Sequence, residues 1–210
     1  MIYTDLLMTI NYPIKKQATT NVQSANRGMN LEADLNTTNE YYLATKRAVI
    51  HKKPTPVKVV HVSYPSRQAA EITKAYFTTP STTDYNGIYQ GKYIDFEAKE
   101  TSNTTSFPLQ NIHPHQIDHL LSIHAQGGIG FVILSFTKRH ELYLLMIEDL
   151  AVFVERERSG GRKSIALAEL KTVAHPLTYG LAPRLDYLTI IDRVLQSQAA
   201  GNASTRPKSP

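Results

Sequence analysis

The sequence predicts an α/β protein, a central mixed β-sheet flanked by helices with a basic stalk standing out from it. Three observations carry this expectation. The run "IGFVILSF" (129–136) is apolar but for Ser135, as suits a strand buried on both faces. Segments with strand and helix periodicity alternate along the chain instead of segregating. A stretch fenced by prolines at 54, 56, 65 and 80 is too poor in apolar residues for a core layer and too patterned for a linker.

At 210 residues the chain suits one folded unit with tails, placed at 27–197, between a basic arm over 1–26 and a disordered tail over 198–210. The arm is polar and carries Lys15 and Lys16. Met29, Leu31, Leu35, Tyr42 and Leu43 fall on one face of a first helix over about 29–45, with Glu32 beside that stripe. "AVIHKK" is a short strand. Residues 54–80 form the stalk: an edge strand, a turn at Tyr64-Pro65, then a short helix over about 67–76. "STTDYNGIYQGKYIDFEAKE" (81–100) is a hairpin, and "PHQIDHLLSIHA" a helix stopped by Gly127-Gly128. "ELYLLMI" and "AVFVER" are further strands, and "APRLDYLTIIDRVLQSQ" is a C-terminal amphipathic helix.

No stretch approaches the roughly 20 apolar residues of a helical membrane span, and the N-terminus lacks the features of a secretory signal. Zero cysteines exclude disulfides and Cys-built zinc sites and fit a cytoplasmic setting. The net charge of +5 is uneven: residues 1–83 hold ten Lys/Arg against five Asp/Glu, the remainder thirteen against thirteen. A basic field concentrated in this way favours a polyanion such as nucleic acid, although a solubilising surface has the same composition.

The hairpin carries the chemistry. With Gln90-Gly91 as its turn, Asp84 lies opposite Glu97 and Asn86 opposite Asp95. Ile94, Phe96 and Ala98 then face the core, while Asp95, Glu97 and Lys99 face a cleft. Two opposed carboxylates repel unless something positive lies between them, and a magnesium ion, which takes one or two carboxylates plus water and phosphate oxygens, answers that need. The spacing alone leaves a second reading open, a solvated strand with Lys99 salt-bridged to Glu97.

Asp84, twelve intervening residues and Glu97-Ala98-Lys99 resemble the metal-binding pattern of the PD-(D/E)xK nuclease superfamily, with Thr83 where that pattern has proline. "NRGMNLEADLN", "AVIHKKPTPV", "STTDYNGIYQGKYIDFEAKET", "TSFPLQNIHPHQ", "GRKSI" and "YGLAPRLDYL" together resemble the RecU family of Holliday junction resolvases, from Asn26 to Leu195. The resemblance implies a restriction-endonuclease-like core, and a cytoplasmic homodimer that uses Mg2+, with Mn2+ as a substitute, to place symmetric paired nicks in four-way DNA junctions. Metal-activated water would attack in line, leaving 5′-phosphate ends, in homologous recombination and DNA repair. RecA and the RuvAB branch-migration machinery are the implied partners, and a chain opening near "MTINYP" would start at Met8. Asp84 and Glu97 match metal ligands, with Thr83 and Gln110 assigned beside them, Lys99 matches the catalytic lysine, and Glu32 an additional catalytic acid. Residues 54–80 match a stalk thought to enter the junction centre. The cations assigned to DNA are Arg27, Lys52, Lys53, Lys58, Arg67 and Lys74. Two rivals stand beside this reading: a nuclease of the same superfamily acting on duplex DNA, and a non-cleaving DNA-binding recombination accessory.

Three other features read as structural. His113, His115, His119 and His124 lack the pattern of a zinc site and suit hydrogen bonding or phosphate contact. "GGRKS" (160–164) lacks the glycine spacing of a P-loop and reads as a basic turn. Tyr64, Tyr76 and Phe77 can stack on unpaired bases, but a small core of the stalk's own is the preferred reading.

Overall fold

The protein is described from a computed structural model that covers residues 30–66, 68–77 and 82–204. The arm over 1–26, with Arg27, Met29 and Arg67, lies outside the described residues. The first helix, α1 (Leu31–Ala44), starts at Asn30, whose side chain accepts from the Ala33 N–H. It buries Leu31, Leu35, Thr38, Asn39 and Tyr42, while Leu43, expected on the same face, is exposed. β1 (Val49–Lys52) follows.

Among its described residues the stalk is a hairpin, β2 (Val57–Ser63) antiparallel to β3 (Glu71–Phe77). The helix expected over 67–76 is not formed. "EITKAYF" has β-branched and aromatic residues at alternate positions, and pairing with "VKVVHVS" satisfies its backbone as a helix would.

β4 (Tyr85–Tyr89) and β5 (Lys92–Thr101) make the expected hairpin, in which Gln90 (φ 49°) and Gly91 (φ 75°) take the two left-handed positions of a tight turn. The register is the predicted one, with Asn86 opposite Asp95 and Tyr85 opposite Phe96. β6 (Ser106–Pro108) leads through a short 3-10 turn into α2 (Pro114–Ala125), then β7 (Ile129–Phe136) and β8 (Glu141–Met146). α3 (Ile147–Arg158) contains "AVFVER", expected as a strand. Its buried Ile147, Leu150, Phe153 and Val154 recur at helical spacing, and Glu148 and Asp149 at the start with Arg156 and Arg158 at the end complement the helix dipole. β9 (Ser164–Ala166), α4 (Leu167–Val173), β10 (His175–Leu177) and α5 (Tyr187–Ser204) complete the chain; α5 begins later and runs further than the sequence reading placed it.

The six-stranded sheet is mixed, in the order β1-β4-β5-β7-β8-β10. Only the β5–β7 pair is parallel, and β6 with β9 forms a separate ribbon. One face carries a core of Ile94, Phe96, Phe131 and Ile133 with residues of α1 and α5. The other carries Val132, Leu134 and Phe136 with residues of α2, α3 and α4. Across β4, β5 and β7 the rings of Tyr85, Phe96 and Phe131 stack in a column, with centroids 4.8 and 4.7 Å apart. A slip of one residue would break that column, so it holds the register that brings Asp84 to Glu97.

Candidate active site

β5 presents its charged residues to the second face, but not to the open cleft expected for all three. Asp95 is wholly enclosed and Glu97 is 1% exposed, because α2 packs across this end of the sheet. The close approach depends on Gly130, opposite Asp95: a Cβ there would stand 3.1 Å from the Leu120 carbonyl of α2.

Asp84 sits just before β4 and reaches β5 from the side. Its N–H donates to Glu97 Oε2 at 3.0 Å, and its Oδ2 accepts from the Ala98 N–H at 3.4 Å. With Asn30, Leu31, Glu32, Tyr85, Ala98 and Glu100 it lines a cleft of about 230 Å³. Lys99 Nζ lies 2.8 Å from Glu97 Oε1. The salt bridge from Lys99 to Glu97 that the spacing allowed is formed, but Glu97 is buried rather than solvated. Burial raises the Glu97 carboxyl to about 7; the hydrogen bond from Lys99 opposes the rise and the negative charge of Asp84 adds to it. Its own burial, with the negative charges of Glu32, Asp84 and Glu97, pushes the Tyr85 phenol up.

This donor set fits a hard divalent cation. Two carboxylates meet beside a cleft, one of them desolvated by burial. Among the described residues no three His or acidic side chains gather into a protein-only cage. Magnesium asks for no such cage, since water and substrate phosphates complete its shell.

Other assigned residues divide. Glu32 lines the cleft and is ion-paired with Lys52. Thr83, assigned to the metal, is turned to Asp95: its hydroxyl donates to Asp95 Oδ1 and accepts from Lys53 Nζ at 2.6 Å. Gln110 is exposed on the 3-10 turn and lines a different cavity, with Pro114, Val154 and Arg158. Lys53, assigned to DNA, is largely buried with its ammonium 2.8 Å from Asp95. Alternation along the strand explains the pair, since adjacent Lys52 and Lys53 leave on opposite faces of the sheet. Lys58 and Lys74 are exposed on the stalk, Lys74 with its ammonium 5.5 Å from the Tyr76 ring centre.

The preferred core reading of the stalk aromatics is corrected. Tyr64, Tyr76 and Phe77 are exposed, Phe77 to 82%, along with Val60 and Ile72, because nothing among the described residues packs on either face of the hairpin. The histidines also disperse. His113 and His115 stack on each other, His119 reaches Asp95 and His124 approaches Glu148. The residue that sequence reasoning passed over is Asp95. Its signal was an acid between Ile94 and Phe96, on a strand next to the wholly buried β7 and so without an exit to solvent.

Comparison with known proteins finds a family model and close relatives. Residues 26–193 match the family model described as "Recombination protein U". A Holliday junction resolvase RecU of Geobacillus sp. is 58% identical over 169 residues, 80% of this chain and 84% of that protein. The Listeria innocua protein of that name is 56% identical over 182 residues, covering 87% of this chain and 90% of its own. The Bacillus subtilis one is 56% identical over 177 residues, covering 84% and 85%.

Proposed function

The chain belongs to the RecU family, and on that premise we propose that it is a Holliday junction resolvase, a magnesium-dependent endonuclease making paired nicks in four-way DNA junctions. The observation that carries this reading is the meeting of Asp84 with the buried Glu97, held by Lys99, at the mouth of a cleft. Magnesium bound there would supply charge neutralisation and activate water for in-line attack on phosphorus, with the 3′ oxygen leaving as a hydroxyl and the phosphate kept on the 5′ end. Asp84 and Glu97 would hold the cation, and Mn2+ would satisfy the same oxygen donors. Lys99 keeps Glu97 ionised against its burial and brings a positive charge to the phosphate. Glu32 faces the same cleft, with Lys52 balancing its charge.

Two strands of a two-fold junction must be cut at equivalent places, so a symmetric dimer is part of the proposal. The exposed basic and apolar stalk supports contact with the junction centre, where strands diverge and bases lose their neighbours. No helix among the described residues is long and apolar enough to cross a membrane. A cytoplasmic setting alongside RecA and the RuvAB machinery belongs to the same proposal.

The test is a synthetic four-way junction incubated with Mg2+, next to the linear duplex arms alone. Symmetric nicks in the junction, absent with Asp84→Ala, are expected. Equal cutting of the linear duplex points to a general nuclease, and binding without cleavage under Mg2+ or Mn2+ to an accessory protein.

A further inference from the structure

Asp95 has no exposed surface and does not touch the cleft, so its burial needs another reason. An isolated buried charge is costly, and Asp95 is fully engaged. Its Oδ2 accepts from Lys53 Nζ at 2.8 Å and from the Tyr93 hydroxyl at 3.1 Å, and lies 3.1 Å from His119 Nε2. Its Oδ1 accepts from the Thr83 hydroxyl.

Two of these partners grip the turn that aims Asp84. Lys53 holds residues 82–84 at three points: its ammonium donates to Thr82 at 2.9 Å and Thr83 at 2.6 Å, and its backbone N–H donates to the Asp84 carbonyl at 2.7 Å. Thr83 ties the same turn directly to β5. The carboxylate of Asp84, by contrast, accepts from the Ala98 N–H at a long 3.4 Å. Its placement therefore depends on what holds the turn from behind.

We propose that Asp95 is a positioning residue for the cation site: through Lys53 and Thr83 it clamps residues 82–84 and so presents Asp84 beside Glu97. The inference rests on reading Asp84 and Glu97 as the cation ligands, and deepens that reading by assigning the charge cluster beneath them. Groups that orient metal ligands commonly carry a loss of about 10- to 100-fold in metal affinity when altered.

The experiment measures Mn2+ binding to the DNA-free protein by titration calorimetry, with thermal unfolding and junction binding in EDTA alongside. Asp95→Asn keeps the shape and removes the charge. It is expected to weaken Mn2+ binding about 10- to 100-fold while junction affinity in EDTA stays within about twofold. Thr83→Val cuts one clamp without leaving a charge unpaired, and is expected to weaken Mn2+ binding about tenfold at near-normal unfolding temperature; this variant keeps the test intact if Asp95→Asn does not fold. The double variant Asp95→Asn with Lys53→Met removes the stranded ammonium. If Asp95 only balances charge, the double variant regains wild-type Mn2+ affinity and the proposal is overturned. If the clamp is real, affinity stays low even where thermal stability returns. Asp84→Ala separates the two levels: should it leave Mn2+ binding untouched, the cation reading fails and takes this inference with it. Should Asp84→Ala abolish binding while Asp95→Asn and Thr83→Val leave it intact, the positioning role alone is wrong.

Discussion

The molecule contains two antiparallel hairpins of similar make, β2–β3 and β4–β5, and they have opposite surroundings. Both alternate β-branched or aromatic residues with charged ones. The first is exposed on nearly every residue, Val60, Ile72, Tyr76 and Phe77 included. The second is covered on both faces, so that even its acids at 95 and 97 are enclosed. Local pattern is thus enough to make a hairpin, and the layers around it decide what the hairpin does. Burial raises the Glu97 carboxyl beside Asp84, while exposure leaves cations and rings available for a polyanion with unstacked bases.

The largest contrast is expected in stability. Phe96→Ala removes the middle ring of the Tyr85–Phe96–Phe131 column and should cost about 3–5 kcal/mol. Phe77→Ala on the stalk should move stability by less than about 0.5 kcal/mol. Urea unfolding of the two variants measures both. A comparable loss at Phe77 would mean that the stalk packs on something and that the contrast is false.

Next is catalysis. Lys99→Met removes the only ammonium on Glu97 among its described contacts. Cleavage should fall about 10²- to 10³-fold, the usual loss when one stabilising group is taken from a reacting centre. Junction affinity measured in EDTA should be unchanged. Neutralising stalk lysines is expected to do the reverse, weakening binding and sparing the turnover of saturated enzyme.

The third expectation concerns pH, and its sign follows from Glu97. A carboxyl raised to about 7 in the folded protein binds its proton more tightly there than in the unfolded chain. Its contribution therefore favours the metal-free fold at low pH and is lost as pH rises from the ordinary carboxylate range through about 7. The cost above that range is on the order of a few kcal/mol. Metal-free wild type should lose unfolding temperature between about pH 5 and 8 relative to Glu97→Gln, which has no such charge to form. Mg2+ should raise the wild-type temperature more at pH 8 than at pH 6, because only the ionised pair attracts it. Equal shifts at both pH values would remove the cation from between these carboxylates.

The same contrast explains what was legible in the sequence. The β4–β5 register and the meeting of Asp84 with Glu97 followed from one turn, Gln90-Gly91, and a period of two. The β7 strand followed from the apolar run "IGFVILSF", broken only by Ser135. Lys53 and Asp95 were misread because their burial is set by α2 crossing the sheet over Gly130, a contact between elements far apart in sequence. α3 read as a strand because "AVFVER" has β-forming residues, and its helical face shows only when Ile147 and Leu150 are included. The stalk read as half helix and half core because its proline-bounded sequence does not state that nothing covers it.

The smallest expected effect tests the exposed hairpin most directly. Lys58 and Lys74 are exposed side chains on strands that, among the described residues, form a two-stranded sheet of their own, so changing both to Gln should leave the unfolding temperature almost where it was. Each cation that touches a phosphate releases about 0.9 of a counterion on B-form DNA, and the plot of log affinity against log salt should lose about 1.8 from its slope if both do. Tyr76→Ser and Phe77→Ser carry no charge and should leave that slope alone. They should lower junction affinity at every salt concentration by about 1–3 kcal/mol for each base that had stacked, with little change for an unbranched duplex. If the lysine pair changes nothing while the aromatic pair weakens junction binding, the stalk meets bases and not backbone. If neither matters, the exposed hairpin serves another partner, and its contrast with the buried one is a contrast between two functions and not two halves of one.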